Sequence, residues 1–139
     1  MTDPAVTTIE AGHVETLAAE RLKRATTEVE KARDRLNRLD LELVRAQEAE
    51  DEAERALADL IAQLQLEGLE GKNQAERDAR LHVLTADARR ALDEARKRTR
   101  RVRAARDRAQ RTYDVARYRH RTWRVITATQ SGVGGEDTW

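Results

Sequence analysis

The stretch from Ala18 to Leu64, AAERLKRATTEVEKARDRLNRLDLELVRAQEAEDEAERALADLIAQL, decides the fold. Steps of four and three from Ala18 reach Leu22, Ala25, Val29, Ala32, Leu36, Leu39, Leu43, Ala46, Glu50, Ala53, Leu57, Leu60 and Leu64. Thirteen of these fourteen positions are apolar. A seven-residue repeat sustained over about seven heptads is the pattern of a coiled-coil seam rather than of a helix resting on a globular core. Up to Ala32 large residues alternate with alanine, which lets two helices approach closely. The whole chain of 139 residues has the same character: 38% charged, 3% aromatic, no Phe, a single proline at Pro4 and a single methionine at Met1. Large side chains for a globular core are scarce, and 23 Ala, 23 Arg and 14 Leu make the palette of long helices.

The repeat breaks at Glu67-Gly68-Leu69-Glu70-Gly71-Lys72-Asn73-Gln74-Ala75-Glu76. Glycines serve as helix C-terminal caps, and Asn73 followed three residues later by Glu76 has the spacing of a capping box. One helix is therefore expected over 13–67, a turn over 68–73 and a second helix over 74–129, with loose segments at 1–12 and in the Gly-rich 130–139. The second seam reads Leu81, Ala88, Ala95, Val102, Ala109, Ala116 and Trp123, with mixed companions Leu84, Ala91, Arg98, Ala105, Thr112, Arg119 and Ile126. The short connection predicts an all-α, long antiparallel helical hairpin with arms of about 80 Å. The same heptads would also be satisfied by one continuous helix pairing between chains. Leu41, Val44, Ala58, Ile61 and Ala62 form a partial second stripe, which a dimer of hairpins arranged as a four-helix rod would bury.

A net charge of +1 conceals a strong asymmetry. Residues 1–70 carry 9 basic and 17 acidic groups, whereas 89–124 carry 15 basic and 4 acidic. Pairing positions whose numbers add to roughly 140 sets the acid-rich 40–59 beside 81–100 and the basic 21–38 beside 102–119. That register makes one end basic on both arms. Glu50, the one charged seam position of the first helix, then faces Arg89 or Arg90, or turns its carboxylate to solvent. Arg96, Lys97, Arg100, Arg101, Arg103, Arg106, Arg108, Arg111, Arg117, Arg121 and Arg124 crowd the second helix, with Tyr113, Tyr118 and Trp123 among them. Guanidinium groups take phosphate in forked geometry and aromatic rings stack on bases, so this is a candidate nucleic-acid surface. The same arginines could instead pair with acids on the opposing arm or on a partner protein. Arginine outnumbers lysine 23 to 4, a bias that phosphate recognition and GC-rich codon usage both produce. Trp123 falls on the ladder and reads as core, while Tyr113 and Tyr118 fall off it and read as free for a ligand.

No arrangement of residues suggests catalysis, and the chain is not expected to be an enzyme. Cysteine is absent, which excludes disulfides and thiolate chemistry, and Ser131 is the only serine. His13, His82 and His120 lie far apart and do not have the spacing of a metal site. No metal, cofactor or small-molecule substrate is expected. No apolar run is long enough to span a bilayer and the N-terminus lacks a signal-peptide layout, so the expected location is cytoplasmic with no membrane partner.

Two short resemblances add to this. Gly71-Lys72-Asn73-Gln74-Ala75-Glu76-Arg77 resembles a Gly-Lys-Asn-x-x-x-Arg helix junction found in small coiled-coil proteins of tailed phages and prophages. It covers about ten residues and implies an accessory protein of phage DNA replication or recombination, acting in the cytoplasm of an infected bacterium. Glu136, Asp137 and Trp139 resemble the acidic, aromatic docking tips of bacterial single-stranded DNA-binding proteins, which implies a partner-docking tail. Two functions follow as expectations. One is a non-enzymatic homo-oligomer, a dimer, whose basic helix binds nucleic acid or an acidic protein without sequence specificity. The other is a structural or protein-interaction rod: a scaffold, a virion component or an inhibitor of a host protein.

Overall fold

A computed structural model describes the backbone over residues 4–130 and the side chains over 16–130. It consists of α1 (Pro4–Glu67), α2 (Gln74–Leu84) and α3 (Ala86–Gln130), with no strand among the described residues. The chain is all-helical, and α1 and α3 pack as a hairpin. Helix α1 begins at Pro4, ahead of the boundary expected at 13, and proline is tolerated in a first turn because its missing N–H has no helical partner there.

Helix α1 stops where Gly68 takes a φ of +81°, the left-handed conformation in which a helix commonly ends on glycine. At Gly71 the constraint is space, because an added Cβ would lie 3.0 Å from the backbone N and from Cγ of Arg77. Asn73 then caps α2, its Oδ1 accepting from the Glu76 N–H at 2.9 Å. Glu76 reaches back to accept from the Lys72 N–H at 2.7 Å, one residue before the position usual in a capping box. The Gly-Lys-Asn-x-x-x-Arg spelling thus has a local structural reason at two of its four named positions, Gly71 and Asn73.

The expected second helix is interrupted at Thr85. Its Oγ1 bonds back to the Leu81 carbonyl at 2.8 Å and accepts from Arg89 Nε at 3.2 Å, while an Arg89 terminal nitrogen bonds the His82 carbonyl. A threonine hydroxyl and one long cation together offer these carbonyls partners outside the helical ladder. Arg89 is committed to this junction, and Arg90 pairs with Asp87.

The chain divides into two compact units: residues 1–38 with 107–139, and residues 39–106. In the second unit Ala46, Leu92, Thr85 and Thr99 are buried, and Thr99 Oγ1 bonds the Ala46 carbonyl across the helix pair at 3.3 Å. Arg106 Nε donates to Asp40 Oδ1 at 2.7 Å, and Arg96 lies 3.8 Å from both Glu50 and Glu54. In the first unit Val29, Ala32 and Ala116 form a buried cluster, joined along α1 by Ala18, Ala25 and Leu36 and along α3 by Ala109 and His120. Most of the buried apolar residues are alanines, and among the described residues no large side chain is fully buried. Close helix approach is thus obtained at the expense of buried apolar area.

Two expectations need correction. The residue numbers of the facing pairs 40/106, 46/99 and 50/96 add to 145 or 146, so the register is offset from the expected 140. Glu50 accordingly meets Arg96 rather than Arg89 or Arg90. The ladder Leu81–Ala88–Ala95–Val102–Ala109–Ala116–Trp123 does face α1, but its companions lie four residues on and not three. They are Thr85, Leu92, Thr99, Arg106, Tyr113, His120 and Thr127, all buried or half-buried, whereas Leu84, Ala91, Arg98, Thr112 and Arg119 are exposed. Six of these seven side chains carry a polar group, Leu92 being the exception, and an apolar count passes over them.

Candidate nucleic-acid interface

Helix α3 holds the arginines because nothing in 86–130 breaks it: it contains no Gly or Pro, and its exposed positions are filled by Arg, a good helix former. In the unit comprising 39–106, Arg96 is drawn to Glu50 and Glu54, and Arg106 to Asp40. Lys97 lies 3.0 Å from Asp93 and 3.7 Å from Glu94 on its own helix. The Asp93 hydrogen bond and charge, followed by Glu94, hold its ammonium above the ordinary lysine pKa. Arg100, Arg101 and Arg103 are exposed, and no ion pair among the described residues engages them. At about 100° per residue they fan over roughly 160°, Arg100 and Arg101 on the outer face and Arg103 on the flank of the seam.

In the other unit Arg108, Arg111, Arg117 and Arg121 are exposed and Arg124 is half-buried. Asp107 and Asp114 interrupt the run, and Gln110 Nε2 bonds Asp114 at 3.0 Å. Tyr113 is not off the seam. It is half-buried against Val29, Ala32 and Ala116, with the Arg117 guanidinium 5.5 Å above its ring. Tyr118, by contrast, is 71% exposed and sits with Asp114, Arg117 and Arg121 around a shallow depression of about 250 Å³. Trp123 is half-buried on the seam, covered by Arg21 at 5.4 Å, so its ring packs between the arms. Tyr118 is therefore the one of these three aromatic side chains that stays exposed.

The opposing arm adds residues that the sequence reading left out. Lys31 and Arg35 of α1 line one groove with Arg111 and Arg119 of α3, and Arg21 and Arg24 line a second with Arg119 and Trp123. The signal was the basic stretch 21–38, but its residues could not be placed beside α3 without the register. Glu136, Asp137 and Trp139 lie outside the described residues, as does the side chain of His13.

Among the described residues, no three His, Asp or Glu side chains gather as a metal site, and no described helix is long and apolar enough to cross a membrane. Arginines dispersed over a helix can neutralise phosphates in many orientations, whereas reading base edges needs side chains aimed into a groove. No family model, no curated protein and no solved structure matches the chain.

Proposed function

We propose that this protein is a non-catalytic, dimeric coiled-coil hairpin that binds nucleic acid through the phosphate backbone, as an accessory of phage DNA replication or recombination in the host cytoplasm. One observation carries the binding: Arg100, Arg101, Arg103, Arg108 and Arg111 are exposed on α3 with no carboxylate partner among the described residues. Their fixed charge is available to displace condensed counterions from a polyanion. Tyr118, exposed between Arg117 and Arg121, supplies a stacking platform that favours single strands. The phage setting rests on the Gly-Lys-Asn-x-x-x-Arg junction alone.

The test is a titration of fluorescein-labelled single- and double-stranded DNA at about 50 and 200 mM salt. The comparison variant carries R100Q, R101Q, R103Q, R108Q and R111Q. Arg106 is kept because it bridges to Asp40. Salt-sensitive binding that the variant loses, with helicity intact, supports the reading. Binding that is absent at low salt, or that salt leaves unchanged, refutes it.

A second reading, a protein-interaction rod, draws on Arg96 and Arg106, which already face carboxylates across the helix pair. In that reading the remaining arginines meet acids of a partner protein.

A further inference from the structure

A groove of about 520 Å³ runs along one flank of the unit formed by 1–38 and 107–139. Its floor is Ala32, Ala116 and Val115, and Val115 is 49% exposed although it is a large apolar side chain. Around the rim stand Lys31, Arg35, Arg111 and Arg119, with Glu28 the one acid. The groove exists because alanine occupies both seams at this level, so the flank is not filled from within. Its chemistry, an apolar trough between cations, suits a helix that offers apolar side chains and carboxylates on one face.

The other unit presents such a face. Leu41 and Val44 of α1 are 51% and 48% exposed, and Glu48, Glu52 and Asp59 are exposed beyond them. On a helix of about 100° per residue these five positions fall within roughly 80° of one another, opposite the seam row of Ala46 and Glu50. No ion pair among the described residues engages the three carboxylates. Arg55, the one cation among them, bonds the Asp51 carbonyl on its own helix.

We infer that the strip Leu41–Val44–Glu48–Glu52–Asp59 of one copy docks into the groove rimmed by Lys31, Arg35, Arg111 and Arg119 of a second copy. Leu41 and Val44 cover the Ala32–Val115–Ala116 floor, and Glu48 and Glu52, one and two turns beyond Val44, meet the rim cations, while Asp59, about 22 Å along the helix from Val44, adds only to the acidic field of the strip. Charge complementarity selects this occupant: the strip is net acidic, the rim net basic, and each is like-charged with its own equivalent, so strip-to-strip and groove-to-groove contacts repel. The pairing specifies the contact behind the dimer proposed above. Its failure leaves the nucleic-acid reading standing, because that reading shares only Arg111 with the groove and depends otherwise on Arg100, Arg101, Arg103 and Arg108, which do not line it.

The experiment uses two full-length variants free of nucleic acid. K31E/R35E/R119E makes the groove acidic, and E48K/E52K/D59K makes the strip basic. The oligomeric state of each is read by light scattering after size exclusion in low salt, with circular dichroism confirming helicity. Wild type is expected above the single-chain mass of 15.9 kDa. Each variant alone is expected at that mass, and an equimolar mixture is expected to associate again, since every groove then faces a strip of opposite charge. A monomeric wild type, variants that associate like wild type, or a mixture that stays monomeric while both variants remain helical would each overturn the proposal. If either variant loses helicity, the milder pair R35Q/R119Q and E48Q/E52Q is read instead, and association as strong as that of wild type in both would overturn it.

Discussion

Arg106 Nε donates a 2.7 Å hydrogen bond to Oδ1 of Asp40, a partner 66 residues earlier in the chain. Both side chains are about a third to a half exposed, so water screens the pair, yet the bond is short and charge-assisted. With Thr99 on the Ala46 carbonyl and Arg96 beside Glu50, it fixes the stagger of α3 against α1 in this unit. Aliphatic rows of alanine would slide past one another at little cost, whereas a bridge of defined length holds one register.

The pair should accordingly show direct coupling. Asp40→Asn, Arg106→Gln and the double variant form a cycle whose interaction energy is expected at about 0.5–1 kcal/mol. Urea unfolding at one protein concentration, followed by circular dichroism, measures it. A value indistinguishable from zero would mean that the bond contributes nothing to the register.

Ala46 is 1% exposed and its carbonyl accepts from Thr99 across the seam, so a larger side chain at 46 would press on the facing helix. Ala46→Leu inserts three heavy atoms there and is expected to destabilise by about 1–3 kcal/mol, despite adding apolar surface. Leu66→Ala, at a position 88% exposed, is the control and should stay within about 0.5 kcal/mol of the parent. A stabilised Ala46→Leu would show that the helices are spaced more widely than this packing.

Some of this architecture was legible in the sequence and some was not. The first seam was plain because apolar side chains recur at all but one of its positions, and each is buried or half-buried where it was expected. The second seam was half legible. The row from Leu81 to Trp123 follows apolar periodicity, but its companions are Thr, Leu, Arg, Tyr and His, of which Thr85 and Thr99 bond the Leu81 and Ala95 carbonyls and Arg106 bonds Asp40. Polar residues that are satisfied on a seam leave no hydrophobic signal, and for that reason Tyr113 read as free when it is packed. The register was illegible for a related reason: it depends on individual bridges such as Asp40–Arg106, and charge totals over twenty residues cannot distinguish a sum of 140 from one of 146. The arginine surface was legible in composition, but which arginines are spent on carboxylates became visible only with the register.

The turn offers three graded tests. Asn73→Ala removes the cap on the Glu76 N–H and is expected to cost about 1 kcal/mol. Gly68→Ala meets no steric contact but must hold a φ of +81°, at about 1–2 kcal/mol. Gly71→Ala would push against the Arg77 backbone nitrogen and should cost at least as much as the cap. Thermal unfolding ranks the three. If Gly71→Ala is neutral, the Gly-Lys-Asn spelling at this junction is not held by packing.

Arginines already bonded to carboxylates should matter less to a polyanion than those that are not, and this separates the nucleic-acid reading from a general effect of positive charge. Each arginine that neutralises a phosphate contributes about 0.9 to the slope of log affinity against log salt on duplex DNA, and about 0.7 on a single strand. Arg101→Gln and Arg108→Gln remove exposed cations without an ion pair and are each expected to flatten the slope by up to that amount. Arg96→Gln, beside Glu50 and Glu54, removes a cation but also frees two carboxylates, so its slope should stay near the parent's while affinity falls through repulsion. Fluorescence anisotropy at four salt concentrations between about 50 and 200 mM resolves the difference. Equal slopes for all three variants would show that the bound phosphates sense only the net charge of the chain, and that the unpaired arginines of α3 do not form the contact.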